Sequence, residues 1–123
     1  MLRMQRNFDN FLNIKIKNLS KATKENIVYS NRIFNEFLQE IYKKTTDEVI
    51  EEARQDKYPD EVIIEVLQDW VNSMSEKVSY RTLRTYCSGI NKYMKYQKIL
   101  LDLTDIEWPQ NMQGKRDYDG KLM

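Results

Sequence analysis

Residues 79–98, SYRTLRTYCSGINKYMKYQK, constrain this chain more than any other stretch. Leu83, Tyr86, Cys87, Ile90, Tyr93 and Met94 recur at steps of three and four, the period of one α-helix face, so one side of the segment must be buried against other elements. The opposite side is cationic. Arg81, Thr85, Ser88, Lys92 and Lys95 follow one another at helical steps, Arg84, Asn91 and Lys98 lie seven apart on a neighbouring ridge, and no acidic residue interrupts either. Cations mixed with hydroxyl and amide groups suit phosphate oxygens and base edges better than a metal or a small substrate. A solvated amphipathic helix shows the same pattern.

The preceding segments supply partners for that buried face. Ser20 or Thr23 caps a long helix running to about Lys43, with Ile27, Phe34, Phe37, Leu38 and Ile41 inward and Lys21, Lys24 and Arg32 projecting elsewhere. At its start, free helix amides and these cations together suggest a second phosphate contact. Thr45 and Thr46 offer a cap to a short acidic helix that buries Val49, Ile50 and Ala53. Pro59 then opens a third helix, about 60–76, that buries Ile63, Val66, Leu67, Trp70 and Met74. Its outer Glu61, Glu65 and Asp69 have no histidine, lysine or glycine-rich loop nearby to give them a reaction, and read as solvated surface. Gly89, inside the basic helix, implies close approach of another helix or of a nucleic-acid backbone. Residues 1–18 read as an N-terminal arm or short helix, 19–103 as the helical domain and 104–123 as a linker or tail that Trp108 could pin. The expected fold is all-α, a bundle of four to five helices.

Charge is segregated along the chain although its total is only +1. Residues 1–46 hold nine Lys/Arg against four Asp/Glu and residues 70–101 six against one, whereas residues 47–69 hold two against nine. Two basic segments brought together would make a cationic face on a nearly neutral protein. Histidine is absent, which removes the commonest general base and metal ligand, and no spacing suggests a metal or cofactor site. The single Cys87 excludes an internal disulfide and, on the apolar stripe, reads as a packed thiol. No apolar run reaches membrane-span length and the N-terminus has no signal-peptide core, so the expectation is a cytoplasmic protein with no membrane contact, nucleoid-associated if the cationic face meets DNA.

Several of these residues fall in an order seen elsewhere. Ser20-Lys21-Ala22-Thr23 opens the first long helix, Phe34 and Phe37 follow on its inner face, Ser79-Tyr80-Arg81-Thr82 opens the last, and Ser88-Gly89-Ile90-Asn91-Lys92-Tyr93 lies within it. With the leading Phe8–Leu12 segment, the chain over about residues 7–109 resembles the N-terminal core-binding, SAM-like domain of tyrosine recombinases, the phage integrase group, in its shorter archaeal integrase-like form. The sequence departs from the pattern at Ile27, where an aromatic is usual, and at Trp108-Pro109, where Asn-Pro is usual. The resemblance implies a SAM-like orthogonal bundle forming half of a clamp around double-stranded DNA. It places Lys21, Thr23 and Lys24 on phosphates at one helix start and Ser79, Arg81 and Thr82 at the other. Arg84, Thr85, Ser88, Asn91, Lys92 and Lys95 would then face the groove. Partners would be DNA and other recombinase protomers or a separate catalytic domain. The family's tyrosine nucleophile belongs to that further domain, for which these residues leave no room, and Tyr86 and Tyr93 read as core. The chain by itself is therefore expected to bind DNA without cutting it. The competing expectation is a small helical protein-interaction module.

Overall fold

A computed structural model describes residues 6–110. Among them five helices and no strand make a small all-α bundle, as the periodicities predict. Helix α1 (Phe8–Asn10) starts at Asn7, whose side chain accepts the Asn10 amide at 2.9 Å, and continues unbroken into a π-helical stretch, Phe11–Lys15. Helix α2 (Lys21–Ile41) is followed by α3 (Thr46–Arg54), α4 (Pro59–Met74) and α5 (Tyr80–Tyr96). The arm beyond α1, residues 1–5, and the tail from 111 lie outside the described residues.

Each start is made by the residue types that favour it. Ser20 and Ser79 accept the amides of Thr23 and Thr82, both at 3.2 Å. Thr45 and Glu48 form a reciprocal capping box, with the Glu48 amide 3.1 Å from Thr45 Oγ1 and the Thr45 amide 2.8 Å from Glu48 Oε1. Pro59 occupies the first turn of α4, where its missing N–H costs nothing.

The most extensive interface joins α2 to α5, and α3 packs next most closely on α4. Gly89 lies at the α2/α5 crossing. A Cβ there would stand 2.4 Å from Ser30 Oγ and 3.4 Å from Ile27 Cα, so the glycine serves helix contact and not a nucleic-acid backbone. Asn31 bridges the same crossing, its Nδ2 donating to Ile27 O at 2.9 Å and to Gly89 O at 3.2 Å. Around this point Phe34 meets Trp70 edge-on, and Leu83, Ile90 and Met94 fill the interior with Ile63, Leu67 and Val71.

Four positions differ from expectation. Val71 is fully buried, while Val66 and Met74 are only half-buried. Ile41, on the correct stripe, is 56% exposed: it is the last residue of α2, and the chain turns off at Lys43 with φ 61°. Helical period gives the buried side, not where the covering element stops.

After α5 the chain folds back. Ile99 and Ile106 are buried, a 3-10 turn spans Leu103–Asp105, and Glu107 exchanges two 2.8 Å backbone bonds with the Gln68 side chain. Trp108 stands edge-on to Tyr80 at 5.1 Å between ring centres. The first residues of the expected linker thus pack on the bundle as far as Trp108.

Candidate nucleic-acid interface

Helix α5 turns its apolar stripe fully inward, with Leu83, Cys87, Ile90, Tyr93 and Met94 buried and Tyr86 half-buried. That orientation forces the remaining side chains out. Arg81, Arg84, Thr85, Ser88, Lys92 and Lys95 all lie on the outer side, and all six are exposed. At 3.6 residues per turn they occupy an arc of about 100°. None of the arc's cations is in an ion pair among the described residues; the ion pairs found there are Arg32 with Glu36, Lys44 with Glu52 and Arg54 with Glu51.

Individual groups on the arc have different capacities. Thr85 donates its hydroxyl to Arg81 O at 3.1 Å, which leaves it an acceptor toward any ligand. Arg84 lies 5.6 Å from the Tyr80 ring centre with Nη1 3.4 Å from the Tyr80 hydroxyl, a contact that orients the guanidinium without neutralising it. Arg81, Lys92 and Lys95 are unattached point charges among the described residues. Asn91 sits half-buried at the edge of the arc. The second ridge does not run on to Lys98: α5 ends at Tyr96, and Lys98 lies in the left-handed region with φ 67°.

The two Ser-x-x-Thr openings explain themselves locally. In each, the serine oxygen accepts the threonine amide while its proton goes to the threonine oxygen, at 2.9 Å for Ser20–Thr23 and 3.0 Å for Ser79–Thr82. The threonine then keeps its own proton to donate outward. Thr23 and Thr82 can therefore reach a phosphate, whereas the serines are committed to capping.

The α2 candidates are less united. Lys21 and Thr23 are exposed at the helix start, and Lys24 donates to Lys17 O at 3.3 Å. Arg32 is roughly 13 Å further along the axis from Thr23. It is paired with Glu36 at 3.2 Å and stacked 5.0 Å over Tyr29. No hydrogen bond among the described residues joins Lys21, Thr23, Lys24 or Arg32 to the α5 arc.

One wall of the site is invisible to helical period. The returning segment forms a cleft of about 310 Å³ with α5, in which Leu103, Thr104 and Trp108 face Tyr80, Arg84, Cys87 and Ser88. The apolar cluster Ile99, Leu100, Leu101 and Leu103 and the aromatic Trp108 are the sequence signals that this segment folds back on the bundle. Burial pushes the Cys87 thiol up to about 12, against the opposing pull of the Arg84 charge, so it remains protonated at neutral pH and is no nucleophile.

Among the described residues no group of three or more His, Cys, Asp or Glu side chains is placed to hold a metal, and no helix is long and apolar enough to cross a membrane. No protein-family model, curated protein or solved structure matches the chain.

Proposed function

We propose that the protein binds duplex DNA through the exposed face of α5, as a non-catalytic binding domain of the tyrosine-recombinase core-binding kind. The observation that carries this reading is the α5 arc: four unpaired cations with two hydroxyls, no acidic neighbour on the helix, on a rigid element fixed by the α2/α5 crossing. Cations on a helix of fixed orientation can meet successive phosphates, and Ser88 with Asn91 lies where base edges would be read. Thr23 and Thr82 add a hydroxyl donor at each of two helix starts.

A salt series on a labelled duplex tests the reading. Neutralising three to five phosphates gives a log–log slope of roughly −3 to −4.5. Changing Arg81, Arg84, Lys92 and Lys95 together to Gln should flatten that slope while the helical circular dichroism is retained, since none of the four is buried. Absence of wild-type binding at low salt, or an unchanged slope in the quadruple variant, overturns it.

A second reading, a self-docking interaction module, is favoured by one feature. A cleft of about 700 Å³ between α4 and the returning segment carries Glu65, Asp69, Asp105 and Glu107, opposite in charge to the α5 arc of another copy. Concentration-dependent mass in sedimentation, without DNA binding, would select this reading.

A further inference from the structure

Arg84 is the one cation of the α5 arc whose side chain is held by protein among the described residues. Its guanidinium lies 5.6 Å from the ring centre of Tyr80, one helical turn back, with Nη1 3.4 Å from the phenol oxygen. That bond uses Nη1, and no described residue takes Nε or Nη2. The edge left over is a two-donor fork of the kind that matches phosphate oxygens. An arginine on an open helix face would otherwise lose its rotamer freedom at the moment it met a ligand.

What steadies Tyr80 comes from outside α5. Trp108 stands edge-on to it, with 81° between the ring planes and 5.1 Å between centres, a favoured geometry for an aromatic pair. The stretch that carries Trp108 is placed by α4. The Gln68 side chain donates to Glu107 O and accepts the Glu107 amide, both at 2.8 Å, and its Nε2 also donates to Asn72 Oδ1 at 3.1 Å. Ile106, 4% exposed, anchors the same stretch in the core. The residue before Trp108 is thus clamped to α4, while the indole meets the first residue of α5. Ser88, one turn beyond Arg84, lines the same cleft.

With α5 read as a DNA contact, on which this rests, we propose that Trp108 is a positioning residue for that contact: it fixes Tyr80, which presents the Arg84 guanidinium to a phosphate of the duplex. Arg81, Lys92 and Lys95 supply charge on freely moving stems, whereas Arg84 is ordered before the duplex arrives. Ordering in advance removes part of the entropy cost of binding and adds no charge. Trp108 therefore acts on affinity through Arg84 and leaves the number of neutralised phosphates unchanged.

The test pairs NMR of the arginine side chains with duplex binding, both on the full chain. In the free wild type the Arg84 Nε–H signal should be shifted by the Tyr80 ring. Trp108→Leu, at a half-buried position, should move it toward that of an unrestrained arginine while the backbone amides of α2 and α3 stay in place. Duplex affinity should fall about three-fold in this variant with the log–log salt slope unchanged, whereas Arg84→Gln should reduce the magnitude of the slope by about one. Trp108→Phe, which keeps a ring edge for Tyr80, should restore both the signal and the affinity. In an Arg84→Gln background Trp108→Leu should cost nothing further. An Arg84 signal that Trp108→Leu does not move overturns the proposal, and does so without DNA. A loss of affinity that persists in the Arg84→Gln background overturns it too, because Trp108 would then act on DNA directly or through the fold. Absence of wild-type binding at low salt overturns the DNA reading and the phosphate with it, and an Arg84 signal that still answers to Trp108 shows which of the two failed.

Discussion

Gly89 and Ser30 share a space that holds one Cβ substituent but not two. Ser30 Oγ donates to Ile27 O at 3.0 Å and is completely buried, so it cannot swing away from a methyl added at Gly89 without abandoning that bond inside the core. Two effects compete in Gly89→Ala. The helix gains about 1 kcal/mol in propensity, and overpacking costs about 1–3 kcal/mol. A 2.4 Å approach lies well inside contact distance, so overpacking wins and a net loss of about 1 kcal/mol is expected in urea unfolding. Ser30→Ala removes the atom in conflict. In that background Gly89→Ala should become neutral or stabilising, giving a coupling of at least about 1 kcal/mol in the double-mutant cycle. Additive effects would mean that the helices stand further apart than described. The same crossing keeps Cys87 inaccessible: 1% exposed and protonated, it should react with iodoacetamide at about pH 8 only as fast as the protein opens, and readily in denaturant.

At the level of single helices the sequence is informative wherever the cause is local. Ser20-x-x-Thr23 and Ser79-x-x-Thr82 announce caps because the bond they make spans three residues, and the α5 stripe announces its buried face because six apolar side chains agree on it. The burial of Ser30 and Asn31 could not be found this way. It depends on Gly89, more than fifty residues away, letting α5 approach, and no local pattern encodes that meeting. The α5 arc was legible as a charge pattern and the return of the apolar 99–103 cluster as hydrophobicity, whereas the place where Leu103, Thr104 and Trp108 dock beside α5 was not, since it rests on long-range pairs such as Gln68 with Glu107. The C-terminus of α5 shows a local rule broken. Lys98 N–H bonds to Lys95 O at 3.0 Å and Ile99 N–H to Met94 O at 2.9 Å, the double bond of a Schellman-like end, yet the left-handed residue there is a lysine instead of glycine. Lys98→Gly should therefore raise stability by about 1 kcal/mol, and Ser79→Ala at the other end should lower it by about 1 kcal/mol. Thermal unfolding monitored by circular dichroism reads both; a destabilised Lys98→Gly would show that the lysine side chain makes up for its backbone strain.

Across the whole molecule, one hydrogen-bond system centred on the buried Gln97 ties the start of the described chain and the end of α5 to the acidic α3. Gln97, 3% exposed at the end of α5, donates to Arg6 O at 2.6 Å and to the Tyr93 hydroxyl at 2.9 Å. Its own oxygen atoms accept from Arg54, at 2.7 Å on Oε1 and 3.0 Å on the backbone. Tyr93 donates its proton to Asp47 at 2.6 Å. Burial raises the Tyr93 hydroxyl well above the usual tyrosine value, and the bond to Asp47 raises it further, because an ionised Tyr93 could not donate. The sign of the pH effect follows. Below about pH 10 the hydroxyl is protonated in both folded and unfolded chains, and the full stabilisation is present. Above that pH the unfolded chain releases the proton and the folded chain retains it, so stability falls as pH rises toward the folded value. Between about pH 9.5 and 11 the wild type should lose about 1 kcal/mol more than Tyr93→Phe, which has no proton to lose and whose lysines titrate alike. At neutral pH that variant should be less stable by about 1 kcal/mol for the lost Asp47 bond. Urea unfolding of both proteins over that pH range measures the difference. Parallel curves would mean that the hydroxyl reaches water, that the Gln97 system is open at its centre, and that α1 is held to the bundle only by the Phe8 and Phe11 rings.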